Sequence, residues 1–211
     1  TTTLYVAIQS INSPNKNIIT IEEPVEYNIE GISQIQVNVK AGVTFAKGLR
    51  SVLRQDPDII MIGEIRDIET AEIAVRAALT GHLVFSTLHT NDAPSSINRM
   101  VDMGIPAYLV ASSITAILAQ RLVRTICPKC KESYHPDPAV VEELKLDDDR
   151  KRGVLYRGKG CEECGKSGYL GRTGLFELMV IDKELRALIH SVKTSYAISE
   201  AAQKVGMKLL W

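Results

Sequence analysis

The 211-residue sequence predicts an α/β layer fold, with a mostly parallel sheet flanked by helices, a small tetracysteine subdomain and C-terminal helices. Three observations predict it. Helical and strand patterns alternate through residues 1 to about 125, as they do when parallel strands are joined by helical crossovers. Ile59-Ile60-Met61-Ile62 is an uninterrupted apolar run, expected of a strand at a sheet centre covered on both faces. All four cysteines fall in Cys127-Pro128-Lys129-Cys130 and Cys161-Glu162-Glu163-Cys164, where the composition turns to glycine, charge and loop-forming residues. The expected organisation is a core over residues 1–125, a cysteine subdomain over 126–172 and a C-terminal strand with helices over 173–211.

Each element has its own signal. Thr1 to about Ser10 reads as a helix, and β-branched Asn17-Ile18-Ile19-Thr20-Ile21 as a strand ending at Glu22-Glu23-Pro24. Ser33 to Val37 alternates polar and apolar residues, so one face of that strand is wet. Thr44 can cap a helix that runs to about Gln55 and stops at Asp56-Pro57. After Ile59–Ile62, a helix is expected from Ile68 to Leu79, then a second buried strand at Leu83–Thr87. Asp92-Ala93-Pro94 opens a helix that Gly104 closes, and Tyr108 to Leu122 reads as a long apolar-faced helix. Leu175 to Val180 reads as a strand, with two short helices after it.

Composition excludes several classes. Twenty-five basic residues balance twenty-five acidic ones, so no global field draws in nucleic acid or anionic lipid. Aromatic content of 5% leaves few stacking platforms, which weakens a helicase reading further. There is no signal peptide and no apolar run of membrane-spanning length, so a cytoplasmic chain is expected. Both ends read as interruptions, Thr1 lacking a cap and Met207 to Trp211 reading as a continuing apolar segment.

Candidate chemistry sits where the parallel strands end, because open α/β sheets bind ligands beyond their carboxyl edges. Glu22, Glu23 and Glu26 follow the first strand, Glu64 follows the second and His89 the third. A single strand-end carboxylate is usually a turn former or a cap; three strands delivering such groups to one edge is a stronger pattern. Clustered carboxylates need a cation between them. Mg²⁺ fits, with the hydroxyls of Thr1 and Thr2 at a helix start and nucleotide phosphates completing its shell. Arg50 and Arg54, one helical turn apart near Lys47, form a basic stripe that is either a solvated face or a contact for phosphate or a neighbouring subunit. Arg66 shares the Glu64 edge, or else pairs with Asp67 or Glu69. His82 and His89 bracket one strand at an odd separation and so face opposite ways; His89 is the better candidate for a phosphate or water contact, His82 the more remote one.

Four thiolates from two Cys-x-x-Cys turns close a tetrahedral Zn²⁺ site with no open position, so zinc bound by Cys127, Cys130, Cys161 and Cys164 would be structural. Lys129, Lys131, Lys159 and Lys166 would offset its negative charge. Disulfide and redox readings are weaker in a reducing compartment and outside a thioredoxin-like setting.

Larger stretches carry a family resemblance. Thr20 to Tyr27 resembles the aspartate box of secretion ATPases, Ile59 to Asp67 their atypical Walker B segment, and Ser86 to Ala93 their histidine box. With both cysteine pairs and Gly168 to Gly174, these motifs cover nearly the whole chain. The family is that of the hexameric motor ATPases of type II secretion and type IV pilus assembly, and the tetracysteine points to the secretion or pilus-extension branch. The resemblance implies a RecA-like core that hydrolyses ATP with Mg²⁺ at the interfaces of a homo-hexamer. It further implies a place peripheral to the inner membrane, held there by a platform protein. Carried over residue by residue, the resemblance implies that Thr1 would end the phosphate loop and ligate Mg²⁺, Glu64 would act as the Walker B carboxylate, Glu22 or Glu26 would orient or deprotonate the attacking water, and His89 would sense or contact the γ-phosphate. Glu23 stands where the family usually has aspartate. The phosphate-loop glycines and lysine would precede Thr1, so this stretch alone is expected to hydrolyse almost no ATP, whereas the intact protein is an ATPase. The rival class is a non-catalytic zinc-bearing module that docks a membrane platform through residues around Arg172 to Leu178.

Overall fold

A computed structural model describes residues 2–137, 139, 141, 154–191 and 194–210. The chain divides into two compact units, the first made of residues up to 119 together with 177–209, the second of residues 120–176.

The first unit is built on four parallel strands, β1 (Ile18–Glu22), β2 (Ser33–Gln36), β3 (Ile59–Ile62) and β4 (Leu83–Ser86), in the order β2-β1-β3-β4. Every residue of β1 and β3 is buried, which is why their sequences read as continuous apolar runs. The Leu83 strand, expected to be buried, is instead an edge strand; with a neighbour on one side only, Leu83 is exposed and the rest is half-buried. The parallel register aligns Ile21 with Ile62 and Ile62 with Ser86, so the carboxyl ends of β1, β3 and β4 lie side by side.

Alternation across the pleat decides which helix each face receives. Met61 and Phe85 pack with Tyr5 and Ile8 of α1 (Thr2–Ile11). Ile19, Ile21, Ile60 and Ile62 face the larger core. That core takes Leu49 and Val52 of α2 (Phe45–Val52), Ala71, Ala74 and Val75 of α3 (Ile68–Leu79), Ile97 and Met100 of α4 (Ala93–Asp102), and Val110 of α5 (Ala107–Ser113). Leu185 and Ile189 of α6 (Lys183–His190) and Ile198 of α7 (Ser195–Lys204) join the same core, so the C-terminal helices complete the first unit. Thr44, Asp67 and Asp92 cap α2, α3 and α4 by accepting the N–H of Lys47, Thr70 and Ser95, and thereby fix where the preceding loops end.

The helix expected from Tyr108 to Leu122 does not run that far. α5 ends at Ser113, Ile114 is extended, and residues 116–126 form strand β5. Ser112 and Ser113 turn their hydroxyls back onto the carbonyls of Tyr108 and Leu109, a competition with the helix ladder that suits a terminus. β5 pairs with β8 (Tyr169–Val180), which begins six residues earlier than the strand read at Leu175. In the second unit, β6 (Lys131–Tyr134) and β7 (Leu155–Gly158) form an antiparallel pair within a region read as loops. Among the described residues no helix is long and apolar enough to cross a membrane.

Candidate active-site cleft and tetracysteine centre

Because β1, β3 and β4 are parallel neighbours, the segments leaving them line one cleft of about 320 Å³ in the first unit. Glu22, Glu23 and Glu26 enter from β1, Gly63 and Glu64 from β3, Thr87 and His89 from β4, and Leu4 from the first turn of α1. Three separate strands therefore do bring their acidic and imidazole groups together. Thr2 begins α1, two residues before Leu4, whereas the Thr1 expectation lies outside the described residues.

The carboxylates differ sharply in environment. Glu22 is 2% exposed; its Oε1 accepts from Thr20 Oγ1 at 2.6 Å and Gln34 Nε2 at 3.0 Å, and its Oε2 accepts from the Tyr5 hydroxyl. Glu26 is exposed on the cleft wall. Glu64 has a side chain only 13% exposed and is held from both sides, by Arg66 Nη2 at 2.5 Å and by His89 Nε2 at 3.1 Å. The hydrogen bond from Arg66 is the main reason its carboxyl lies below the ordinary 4.5; burial opposes the shift and the His89 contact reinforces it. Arg66 also reaches Glu23 at 3.5 Å. Thr87 Oγ1 donates to the Gly63 carbonyl at 2.7 Å and ties the β4 exit to the β3 exit.

Other candidates sit elsewhere. His82 lies at the amino end of β4, its Nδ1 within 2.9 Å of the Ala77 carbonyl and 3.1 Å of Thr80 Oγ1, so it closes the end of α3 and is not brought to the cleft. Arg50 pairs with Glu69 of α3 at 2.7 Å, and Arg54 folds back on the Arg50 carbonyl and Ser51. Two buried residues with distant partners carry no spacing signal in the sequence. Tyr5 finds its partner 17 positions away, and Glu177 accepts the N–H of Ala93 from 84 positions away.

In the second unit the four cysteine sulfurs all lie within 4.8 Å of one another. The pairs Cys127–Cys161, Cys130–Cys164 and Cys161–Cys164 stand at 3.9, 3.9 and 3.7 Å. A tetrahedral ion with Zn–S bonds of about 2.3 Å needs sulfurs about 3.8 Å apart, so the donor set fits zinc. Backbone N–H groups of Gly160, Cys161 and Gly168 point at the sulfurs from 3.3 Å. The Cys161 N–H brings the Cys164 thiol down to about 6, and burial pushes Cys130 up to about 12. Four thiolates that close together would repel one another unless a cation lay between them.

Residues 1–211 match the family described as type II/IV secretion system protein along their whole length. The chain belongs to that family. Within it, the chain is 53% identical over 206 residues to type II secretion system protein E of Pseudomonas aeruginosa, covering 98% of this chain and 41% of that protein. It is 55% identical over 192 residues to type II secretion system ATPase E of Vibrio cholerae, covering 90% of this chain and 38% of that one. Against the type IV pilus assembly ATPase PilB of Thermus thermophilus it is 51% identical over 209 residues, 99% of this chain and 24% of that protein. The crystal structure of the pilus retraction motor PilT with bound ADP superimposes with a TM-score of 0.69 at 30% identity, over 99% of this chain and 55% of that chain. The type II/IV secretion family member described here thus spans about two fifths of its type II relatives and a smaller share of PilB. Its parallel sheet with flanking helices is the fold of the RecA-like secretion ATPases.

Proposed function

We propose that the intact protein is a motor that hydrolyses ATP to power type II secretion or type IV pilus assembly, and that this chain carries part of its nucleotide site and by itself hydrolyses almost none. The observation that carries the reading is the convergence of Glu22, Glu23, Glu26, Glu64 and His89 on one cleft at the carboxyl edge of a parallel sheet. Relatives named as ATPases, and a structural neighbour with bound ADP, support it.

Phosphoryl transfer asks a protein for positioning and charge neutralisation more than for covalent chemistry. Carboxylates are the hard donors Mg²⁺ takes, and Glu64 with a threonine hydroxyl, that of Thr2 at the start of α1 or of Thr1 before it in sequence, would hold an ion that neutralises the transferring phosphates. Glu26 is the better placed of the two β1-exit candidates to orient water, because it faces the cleft whereas the carboxylate of Glu22 is already taken by three donors. His89 in the cleft and Arg66 beside Glu64 are largely exposed donor groups, able to exchange Glu64 for a phosphate oxygen. Arg50 and Arg54 would serve at a subunit boundary of a homo-hexamer. Work results if nucleotide-bound and hydrolysed states favour different subunit orientations. The motor would act in the cytoplasm, peripheral to the inner membrane, against a platform protein. Phe176 and Leu178 on β8, both about half exposed, support docking in the Arg172 to Leu178 region. The zinc centre would be structural.

Glu64→Gln in the full-length protein tests the reading. ATP hydrolysis should fall by about 100-fold or more, the scale of a lost transition-state electrostatic group, while platform binding persists. Unchanged turnover would overturn the motor reading, and a wild type that binds the platform without hydrolysing ATP would favour the non-catalytic docking module.

A further inference from the structure

The phenol of Tyr5 does more than fill the small core under α1. Tyr5 is 0% exposed, packs with Ile8 and Met61, and meets the Tyr27 ring edge-on at 4.7 Å between centroids. The polar partners of its hydroxyl lie at the end of β1 and in the segment leaving it. It donates to Oε2 of buried Glu22 and accepts the backbone N–H of Glu26 at 3.2 Å. A phenol that donates and accepts at once is bound at a fixed point, and the peptide it accepts from is that of the residue placed on the cleft wall. The other end of the segment is fixed independently, since Gln34 of β2 donates to Glu22 and to the Tyr27 carbonyl and accepts the N–H of Ile29. Between those anchors, the Val25 N–H reaches Gln36 Oε1 at 3.5 Å and Glu23 reaches Arg66 at 3.5 Å, while the Glu26 peptide itself is held by Tyr5.

We propose that Tyr5 is a positioning residue that registers the Glu22–Glu26 segment against α1, so that the helix beginning at the nucleotide end of the cleft and the water-facing carboxylate move as one body. This rests on the motor reading above for its catalytic consequence, but not for its structural content. Burial and the neighbouring Glu22 carboxylate both raise the Tyr5 pKa, which keeps the phenol protonated and able to donate. The link costs the site nothing in specificity, because the hydroxyl lies beneath the segment and not in the cleft lining.

The test compares Tyr5→Phe with Thr20→Val in the full-length protein. Both remove one donor to Glu22, but only the first releases the Glu26 N–H. Two readouts are taken, amide hydrogen exchange over residues 22–29 and steady-state ATP hydrolysis. Tyr5→Phe should speed exchange of the Glu26 region about tenfold or more and lower kcat by about 10- to 100-fold with KM for ATP within about twofold, as a displaced reacting group does. Thr20→Val should leave exchange of the Glu26 region nearly unchanged. Equal effects of the two variants on that exchange, or a Tyr5→Phe protein with wild-type exchange in this segment, would overturn the proposal. If the wild type hydrolyses no ATP, the motor reading fails on its own, and the exchange comparison still decides whether Tyr5 holds the segment.

Discussion

Glu177 Oε1 accepts the backbone N–H of Ala93 at 2.7 Å, joining β8 to the first turn of α4 across 84 positions of sequence. The carboxylate is 1% exposed and sits at a helix N-terminus, where negative charge is favoured. The bond fixes the start of α4 four residues beyond His89. Glu177→Ala should leave a buried N–H unpaired and cost about 1–3 kcal/mol, read as a lower urea midpoint at unchanged slope. Glu177→Gln keeps an acceptor in place and should recover most of that loss.

The Arg66–Glu64–His89 cluster makes stability pH-dependent in a predictable direction. The folded pKa of Glu64 lies below its ordinary value of 4.5, so its contribution is fully present above about pH 4.5 and is lost as pH falls through the folded pKa. Arg66→Ala removes the largest cause of the shift. Denaturation curves of the two proteins should differ by a constant amount at neutral pH and converge as the solution is acidified below the usual carboxylate range. A gap that widened in acid would contradict the assignment.

The cysteine centre should bind one zinc per chain, measured by elemental analysis, and Cys161→Ser should lose most of it. Binding requires thiolates, so affinity should drop as pH is lowered. Removing the metal with a chelator should raise proteolytic susceptibility within residues 120–176 before the first unit is affected.

Backbone crowding in the same unit gives an independent test. A Cβ on Gly158 would overlap the carbonyl of Gly168, and Gly168 itself stands at φ +79, while its carbonyl accepts the Cys127 N–H at 3.0 Å. Gly158→Ala therefore has to push apart two backbone segments next to the metal ligands. The expected result is weakened zinc retention during dialysis, with the urea midpoint of the first unit little changed.

Long, well-bounded patterns in the sequence translated into structure. The run at Ile59–Ile62 and the helix from Ile68 to Leu79 appear with the limits their patterns predict, and the strand-end logic assembled Glu22, Glu64 and His89. Failures came where two periods fit the same residues. Residues 108–122 are apolar often enough for a helix or for strands, and only the back-bonded serines and extended Ile114 decide for a break. Leu83–Ser86 is as apolar as a central strand yet lies at an edge, because strand order is a tertiary property. The partners of Tyr5 and Glu177 depend on contacts between distant elements, and no local spacing records them.

The pairing of β5 with β8 has a consequence for how the chain is partitioned. The polypeptide leaves the first unit after residue 119 and returns at residue 177 on two adjacent strands, tied near their base by the Ile181 N–H to the Thr115 carbonyl at 2.9 Å. A short turn could bridge such neighbouring strands at little loop-closure cost. The zinc-bearing segment is thus a cassette, removable or exchangeable without rethreading the sheet that carries the cleft.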